Sequence, residues 1–455
     1  MKNSIKISLW SAVSAMLMSC ESFVDINPSP QMMESKDVFT TGRTAEAAVD
    51  GVYAFMRTSS PSLLNGALSI YCGLAADELQ VSSENELYSP FYHNALQSGN
   101  STVSYQLWDV PYQTIYRCNS ILEQLDMSAS LPAGIKHTLA GEMKLVRALH
   151  YMYLANLFGK VPLVLNTDYE TNAKLGGSAI DEVRQQVIRD LREASNLLPE
   201  AYRGVGKIRP NKWAALALLA RAYIYAGEYT DAQVVASAVI DANEYGLVAD
   251  LQDVFGINSA ETIWEIAPPN NTGNTAEAGA LLPPGAGAAP AVLPTPSLVA
   301  VFDADDRRMR WFSSQEAIGQ NEAYINKYRY QTYDATMEYL VVCRLAEQYL
   351  IRAESRIQSR DLEGARADIN VIRLRAGIDT LTTLDETLLM EALREERRRE
   401  LIAEWGHRWF DLIRWGMADD VLGAAKPGWK ATAALFPIPY EQLLYNPYLT
   451  QNAGY

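Results

Sequence analysis

RPNKWAALALLARAYIYAGEYTDAQVVASAVIDA, residues 209–242, is the stretch on which the fold turns. Pro210 suits a first helical turn, where its missing N–H costs nothing. Trp213, Leu216, Ala217, Ala220 and Ile224 then recur at a spacing that gathers them on one helix face. Gly227 stops that helix. Thr230 and Gln233 form a capping-box pattern, and Ala232, Val235, Ala236, Val239 and Ile240 give a second stripe before Gly246. The pattern predicts two helices folded back on each other. Alanine at 214, 215, 217, 220 and 222 lowers side-chain bulk, so that neighbouring helix axes can approach closely.

One hairpin cannot bury two apolar stripes alone, so copies are expected. Leu219-Ala220-Arg221-Ala222 recurs as Leu350-Ile351-Arg352-Ala353 and as Leu145-Val146-Arg147-Ala148. Beyond Leu350 the match runs on through Leu362, Ala365 and Ile369, which align with Tyr229, Ala232 and Ala236 once two residues are inserted. The copies resemble degenerate tetratricopeptide repeats, with long insertions separating them. Hairpins are predicted at about 42–126, 135–198, 210–243 and 339–375. The first is interrupted by a polar and aromatic insertion at 71–104. A loop of that length inside a repeat is usually functional.

Between the third and fourth hairpins the signal changes. Residues 261–266, ETIWEI, alternate like a strand, and 267–296 hold seven prolines, four glycines and a single charge, Glu277. This segment is expected to be non-helical. With the aromatic-rich stretch containing Trp311, Phe312, Tyr324, Tyr328, Tyr330 and Tyr333 it forms a predicted irregular lobe over 247–338. A C-terminal segment, 376–455, completes a single domain that begins near 38. Within it, Thr383 and Glu386 read as a capping box, and Glu395/Arg399 and Glu404/Arg408 as pairs at helical spacing. The predicted fold class is all-α, a right-handed tetratricopeptide-like scaffold of four hairpins with an irregular second lobe.

The chain's 455 residues, 48% of them hydrophobic, can bury a large core. The balance is acidic. Residues 1–19 carry two lysines and no carboxylate, so their loss takes the formal net charge from −15 to −17. That excludes the clustered basic surface a nucleic acid needs. The same residues read as a signal peptide: Lys2 and Lys6 precede an apolar run at 7–18 that is too short to span a bilayer. Leu17-Met18-Ser19-Cys20 looks like a bacterial lipobox, which makes Cys20 the expected lipid attachment site and 20–37 an extended arm. Cys72, Cys118 and Cys343 are too widely spaced for a zinc site and read as buried structural residues.

Chemistry-bearing constellations are absent. His93, His137, His150 and His407 are scattered, and no metalloprotease, nucleophile-elbow or phosphate-loop motif is present. Asp303, Asp305 and Asp306 lack calcium-loop spacing and fit a helix N-terminus better. Neither an enzyme nor a cofactor or metal is expected.

Four motifs bear a specific likeness. Residues 404–416, EWGHRWFDLIRWG, resemble the E-x-G-x-R-x-x-D-L-x-R-W-G signature of the SusD/RagB family. So do Phe436-Pro437-Ile438-Pro439 with the ending 446–455, the run from Arg147 through Tyr151 to Leu163, and Arg344-x-Ala346-Glu347-x-Tyr349-Leu350. The resemblance implies a Bacteroidota outer-membrane lipoprotein, surface-exposed, that captures oligosaccharide and delivers it to a TonB-dependent SusC-type porin. A peptide ligand, or a pure interaction module holding a protein segment, is the alternative. Arg408, Asp411 and Arg414 read as helix-packing ion pairs and not as ligand contacts. The resemblance further implies that ligand sits where the two insertions meet. The candidate stacking residues are therefore Tyr88, Phe91, Tyr92, Trp311 and Tyr324, with Asp77, Glu78 and Asn94 as hydrogen-bonding partners.

Overall fold

The structure, a computed structural model, describes residues 35–58, 61–268, 274–317, 320–332 and 337–455. The signal peptide, Cys20, most of the arm and Tyr333 lie outside the described residues. The long helices are α1 (Gly42–Thr58), α2 (Val110–Met127), α3 (Ala133–Phe158), α4 (Ile180–Leu197), α5 (Lys212–Ala226), α6 (Tyr229–Asp241), α7 (Leu345–Gln358), α8 (Leu362–Ala376), α9 (Glu386–Glu400) and α10 (His407–Arg414). They pack pairwise as α1/α2, α3/α4, α5/α6 and α7/α8. Successive pairs stack, α4 on α5 and α6 on α7. This is the all-α repeat scaffold that the apolar periodicity predicts.

The 209–242 hairpin forms with sharper ends than its sequence suggests. Asn211, not Pro210, starts α5: its side-chain oxygen accepts the Ala214 N–H at 3.0 Å. Gly227 closes α5 at φ 75°, a left-handed conformation that glycine adopts without a Cβ clash. Helix α6 begins at Tyr229 behind Glu228, so Thr230 lies inside the helix and the predicted capping box does not form. Nor does α5 keep a polar face. Every residue from Ala217 to Tyr225 is buried, because α5 lies between α4, α6, α7 and the strand ribbon described next.

The strands number six among the described residues: β1 (Leu79–Val81), β2 (Thr262–Ile266), β3 (Val292–Pro294), β4 (Phe312–Ala317), β5 (Gln320–Ile325) and β6 (Leu340–Arg344). They form three antiparallel ribbons, β1 with β3, β2 with β6, and β4 with β5. The segment read as an alternating strand is β2, but all five of its residues are buried, since β2 and β6 are covered by α5. The proline-rich stretch is not wholly irregular. Thr275 caps a short helix, Ala276–Leu281, by accepting the Ala278 N–H at 3.1 Å.

The recurring arginine of the repeats has a physical role. Arg147 in α3 makes a two-pronged bond to Asp190 of α4, at 2.8 and 2.7 Å, and Arg352 in α7 does the same to Asp368 of α8, at 2.9 and 2.7 Å. Each guanidinium thus clamps its own hairpin shut in a buried site. In the third hairpin the position matching Asp368 is Val235, so Arg221 has no acid at hand. It reaches instead to Glu347 of α7, with both contacts at 2.6 Å, and to the Tyr153 hydroxyl of α3 at 2.9 Å.

A larger ionic cluster joins the scaffold to the second lobe. Arg344, at the end of β6, donates to Glu261 at 2.7 Å, Glu400 at 2.6 Å and Glu404 at 2.8 Å. Arg375 of α8 bonds Glu261 at 2.6 Å and also meets Glu400, while Lys327 donates to Glu404 at 2.6 Å. All of these side chains are buried. Glu404 therefore does not pair with Arg408 as its spacing predicts. Helix α9 ends at Glu400, and the chain turns back through left-handed Ala403, Trp405 and Gly406 before α10. Gly406 is required there: a Cβ would stand 2.7 Å from the Cys72 Cβ and 3.1 Å from the Leu68 carbonyl. The predicted Thr383 box is also displaced, since Asp385 caps α9 through the Leu388 N–H. Asp306 likewise caps the short helix Arg307–Trp311, and Cys72, Cys118 and Cys343 are buried free thiols.

Candidate functional site

The two insertions are joined by one short ribbon. Strand β1, from the first insertion, pairs with β3 of the second lobe in the register Leu79↔Pro294, Gln80↔Leu293, Val81↔Val292. Flanking bonds extend the seam: Ser82 N–H to the Ala291 carbonyl at 3.1 Å, Thr295 N–H to the Glu78 carbonyl at 3.0 Å, and the Thr295 hydroxyl to the Asp77 carbonyl at 2.7 Å. Residues more than 200 positions apart thereby share a surface.

Several candidate residues are consumed in building that seam. Asp77 is buried, with one carboxylate oxygen at 2.7 Å and the other at 2.9 Å from Arg408, and with Arg398 at 3.0 Å. Burial alone would raise its carboxyl, but the Arg408 and Arg398 contacts outweigh that and hold it below the usual range. Glu78 is buried without so close a partner, and desolvation pushes it up to about 7. Phe91 is fully buried, stacked on Tyr71 at 4.4 Å and edge-on to Phe436 at 5.8 Å. Trp311 is buried too, its indole N–H bonded to the Leu251 carbonyl at 2.8 Å and its ring under Lys327. Phe91 and Trp311 are thus core aromatics and cannot stack on a ligand, and Asp77 has no free lone pair facing solvent. Asn94 spends its amide N–H on the Ala75 carbonyl at 3.0 Å and holds a left-handed turn, φ 49°.

The candidates that reach the surface are Tyr88, Tyr92 and Tyr324, each half-buried. Tyr88 leans on Tyr71 at 6.2 Å, and Lys426 lies 4.6 Å over the Tyr92 ring while donating to the Tyr92 carbonyl at 2.7 Å. Beside Tyr88 and Tyr92 the chain makes a shallow cup of about 470 Å³, bounded by Glu84, Asn85, Glu86, Ser89, Pro90 and His93. His93 Nε2 and Glu84 Oε1 are 2.9 Å apart at its edge. Bonds from Ser89 and His93 hold the exposed Glu84 carboxyl below its usual range. Sequence reasoning passed over Glu84 and Ser89. The polar run ahead of Pro90, which opens the short helix Ser89–Tyr92, was the available signal. Offset tyrosine and histidine rings beside carboxylate and hydroxyl acceptors suit a hydroxyl-rich, neutral ligand. No group of His, Cys, Asp and Glu that could hold a metal occurs among the described residues.

Behind the seam sits Glu277, whose carboxylate accepts a bond from Ser69 at 2.9 Å while its other oxygen has no partner. Ser69 in turn accepts the Trp405 N–H at 3.0 Å, so one hydroxyl links the segment leading into the first insertion, the second lobe and the C-terminal motif. Burial raises the Glu277 carboxyl from 4.5 to about 7. A raised carboxyl gives stability that is complete below the unfolded value and lost as pH climbs through the folded one. Glu277→Gln, which cannot ionise, should gain on the native chain by about 3 kcal/mol between pH 4.5 and 8. Parallel denaturation curves across that range measure it, and a pH-independent difference would refute the buried neutral carboxyl.

Family comparison decides what this scaffold is. Residues 321–455 match the SusD family model, and residues 25–224 match a SusD-like model described as starch-binding, associating with outer membrane. Together they span more than two thirds of the chain. It belongs to the SusD/RagB family. A SusD-like protein of Formosa agariphila is 25% identical over 96% of this chain and 97% of its own. A solved structure described as a laminarin binding SusD-like protein superposes with a TM-score of 0.79 at 23% identity, covering 91% of this chain and 99% of that one. A putative sugar binding protein from Bacteroides vulgatus superposes at 0.76 with 26% identity, covering 91% and 98%. The SusD signature residues are structural in this chain: Arg408 anchors the first insertion through Asp77, and Asp411 bonds Arg397 and Arg414. SusD-family proteins are carbohydrate-binding and associated with the outer membrane. No helix among the described residues is long and apolar enough to cross a membrane.

Proposed function

We propose that this chain is a glycan-binding lipoprotein, not an enzyme, that captures oligosaccharide where its two insertions meet. It delivers the sugar to a TonB-dependent SusC-type porin, and lipid on Cys20 anchors it at the outer surface. The observation that carries the reading is the β1/β3 ribbon, which fixes the first insertion, with Tyr88, Tyr92, His93 and Glu84, against the second lobe. The acid and arginine side chains that could otherwise suggest catalysis are bonded to one another in buried clusters. The laminarin-binding neighbour and the starch-binding family description select the first probes, laminari- and malto-oligosaccharides.

Calorimetry against those sugars, a wider glycan panel and a peptide digest tests the proposal. Saturable binding to one glycan is expected. His93→Ala and Tyr92→Ala should each weaken it roughly tenfold, the loss of about 1.4 kcal/mol in stacking and hydrogen bonding. His93 is exposed, so its variant should melt with the native chain. Binding confined to the peptide digest would replace the glycan reading with peptide capture. Glycan binding untouched by both substitutions would remove this surface from the site.

A further inference from the structure

A second cleft lies away from the insertions, and no candidate residue lines it. Its volume is about 620 Å³. Helix α2 and the turn before it supply one wall, the loop at 162–173 the second, and the C-terminal residues 442–449 the third. Trp108, Pro162, Val164 and Leu449 make an apolar lining. Tyr116 and Tyr169 stand at its edge with 55% and 82% of their surface exposed. Both rings are therefore open to a ligand entering the cleft.

The walls are held in place by polar bonds. The Tyr112 hydroxyl donates to the Pro162 carbonyl at 2.9 Å, Asn119 to the Val164 carbonyl at 3.0 Å, and Asn446 to the Leu175 carbonyl at 2.8 Å. Gln442 donates to Asp109 at 3.0 Å, tying the C-terminal wall to the first. The cleft is therefore preformed, and a ligand entering it has little backbone ordering to pay for. Unused polar groups remain. Gln113 is exposed on the lining, Asn172 beside it donates its amide N–H to the Asn166 carbonyl, and Arg117 lies over the Phe55 ring at 4.0 Å.

The geometry points to a second saccharide-binding site in this cleft, where Tyr116 and Tyr169 stack on sugar faces and the exposed Gln113 bonds hydroxyls. Aromatic rings offer flat apolar faces to sugar C–H groups, and a side-chain amide both donates to and accepts from hydroxyls. The lining charges, Asp109 and Arg117, are opposite in sign, so nothing selects an anionic ligand. No strand lines the cleft, which removes the edge pairing that an extended peptide would use. A volume within the usual range for small-ligand sites admits a short oligosaccharide segment. Two sites on one chain would engage a long glycan at two places, and linked binding raises apparent affinity without new contacts.

The inference rests on the glycan-binding reading, and the test separates the two. The full mature chain is titrated with laminaritriose and maltotriose, and with the parent polysaccharides, as native protein, Tyr116→Ala/Tyr169→Ala and His93→Ala. Two trisaccharides per native chain are expected, and one per chain in either variant. Polysaccharide affinity should fall roughly 10²-fold in the tyrosine variant, as loss of linked binding dictates. One trisaccharide per native chain, abolished by His93→Ala and unaffected by the tyrosine pair, overturns the second site and leaves the first. One per chain, abolished only by the tyrosine pair, supports this cleft and overturns the insertion surface. No saccharide binding at all overturns both. Because both tyrosines are exposed, an unchanged melting temperature shows that the variant is folded.

Discussion

Arg344→Met is expected to destabilise the chain by about 4 kcal/mol, because one buried guanidinium is shared by Glu261, Glu400 and Glu404. Removing it leaves three carboxylates in a site from which water is excluded, with only Arg375, Arg308 and Lys327 to offset them. The methionine fills the space but supplies no charge. Burial pushes Glu400 and Glu404 up, whereas the surrounding cations win and hold both below the usual carboxylate range. Carboxyls depressed in this way give stability that is present above their unfolded value and lost as pH falls through the folded one. The native chain should therefore weaken steeply in acid, and the variant less so, having already lost much of the attraction. Arg344→Lys separates charge from shape: it keeps the charge, cannot make the fork, and should fall between the two. Thermal unfolding measured from about pH 2 to about pH 7, across the range below the unfolded carboxylate value, gives the answer. A variant that melts with the native chain at pH 7 would show that the cluster adds nothing at the junction.

Asp77→Ala is the second large effect, and it bears on function as well as stability. Its carboxylate receives Arg408 and Arg398, so the substitution strands two arginines and should cost about 3 kcal/mol. It also unfastens β1 from α10, and with it the seam on which the cup at Glu84 and His93 rests. Hydrogen exchange at residues 79–95 should rise while the distant hairpin α3/α4 stays protected. Glycan affinity should fall at least tenfold although Asp77 touches no ligand. In the cycle with Arg408→Ala the two losses should fall short of additive by about 2 kcal/mol. Strict additivity would show that the two side chains do not act as a pair, and lost binding with unchanged exchange in this segment would instead make Asp77 a direct ligand contact.

Much of the scaffold is legible in the chain because helix packing writes itself at a fixed period. Ala214, Ala217 and Ala220, or Val183, Val187 and Leu191, are buried wherever the helix is placed against a neighbour. Even the recurring arginine was visible, although its partner was not: Asp190 and Asp368 are on the same hairpin, while Glu347 is on the next. The insertions follow no such rule. Phe91 and Tyr92 are adjacent and chemically alike, yet one is sealed between Tyr71 and Phe436 and the other reaches solvent. Residues well beyond the local window decide which, and local pattern carries no trace of them. Trp311 misleads for the same reason, its partners being Leu251, Phe255 and Lys327. The pair assigned to Glu404 and Arg408 failed at a backbone reversal that only Gly406 signals. In the cleft beside α2, the polar residues Asp109, Gln113 and Arg117, at intervals of four across the start of that helix, mark the face that stays open.

The choice of partner by Arg221 has a consequence for how this molecule can be divided. Hairpins that neutralise their own arginine could separate from the array with that charge still satisfied. The third cannot, since its guanidinium is completed by Glu347 from the fourth and by Tyr153 from the second. A chain cut after α6 would carry an uncompensated cation at its centre. The second, third and fourth hairpins are accordingly tied into one unit that should melt together, and truncation repeat by repeat should fail to leave a stable remainder.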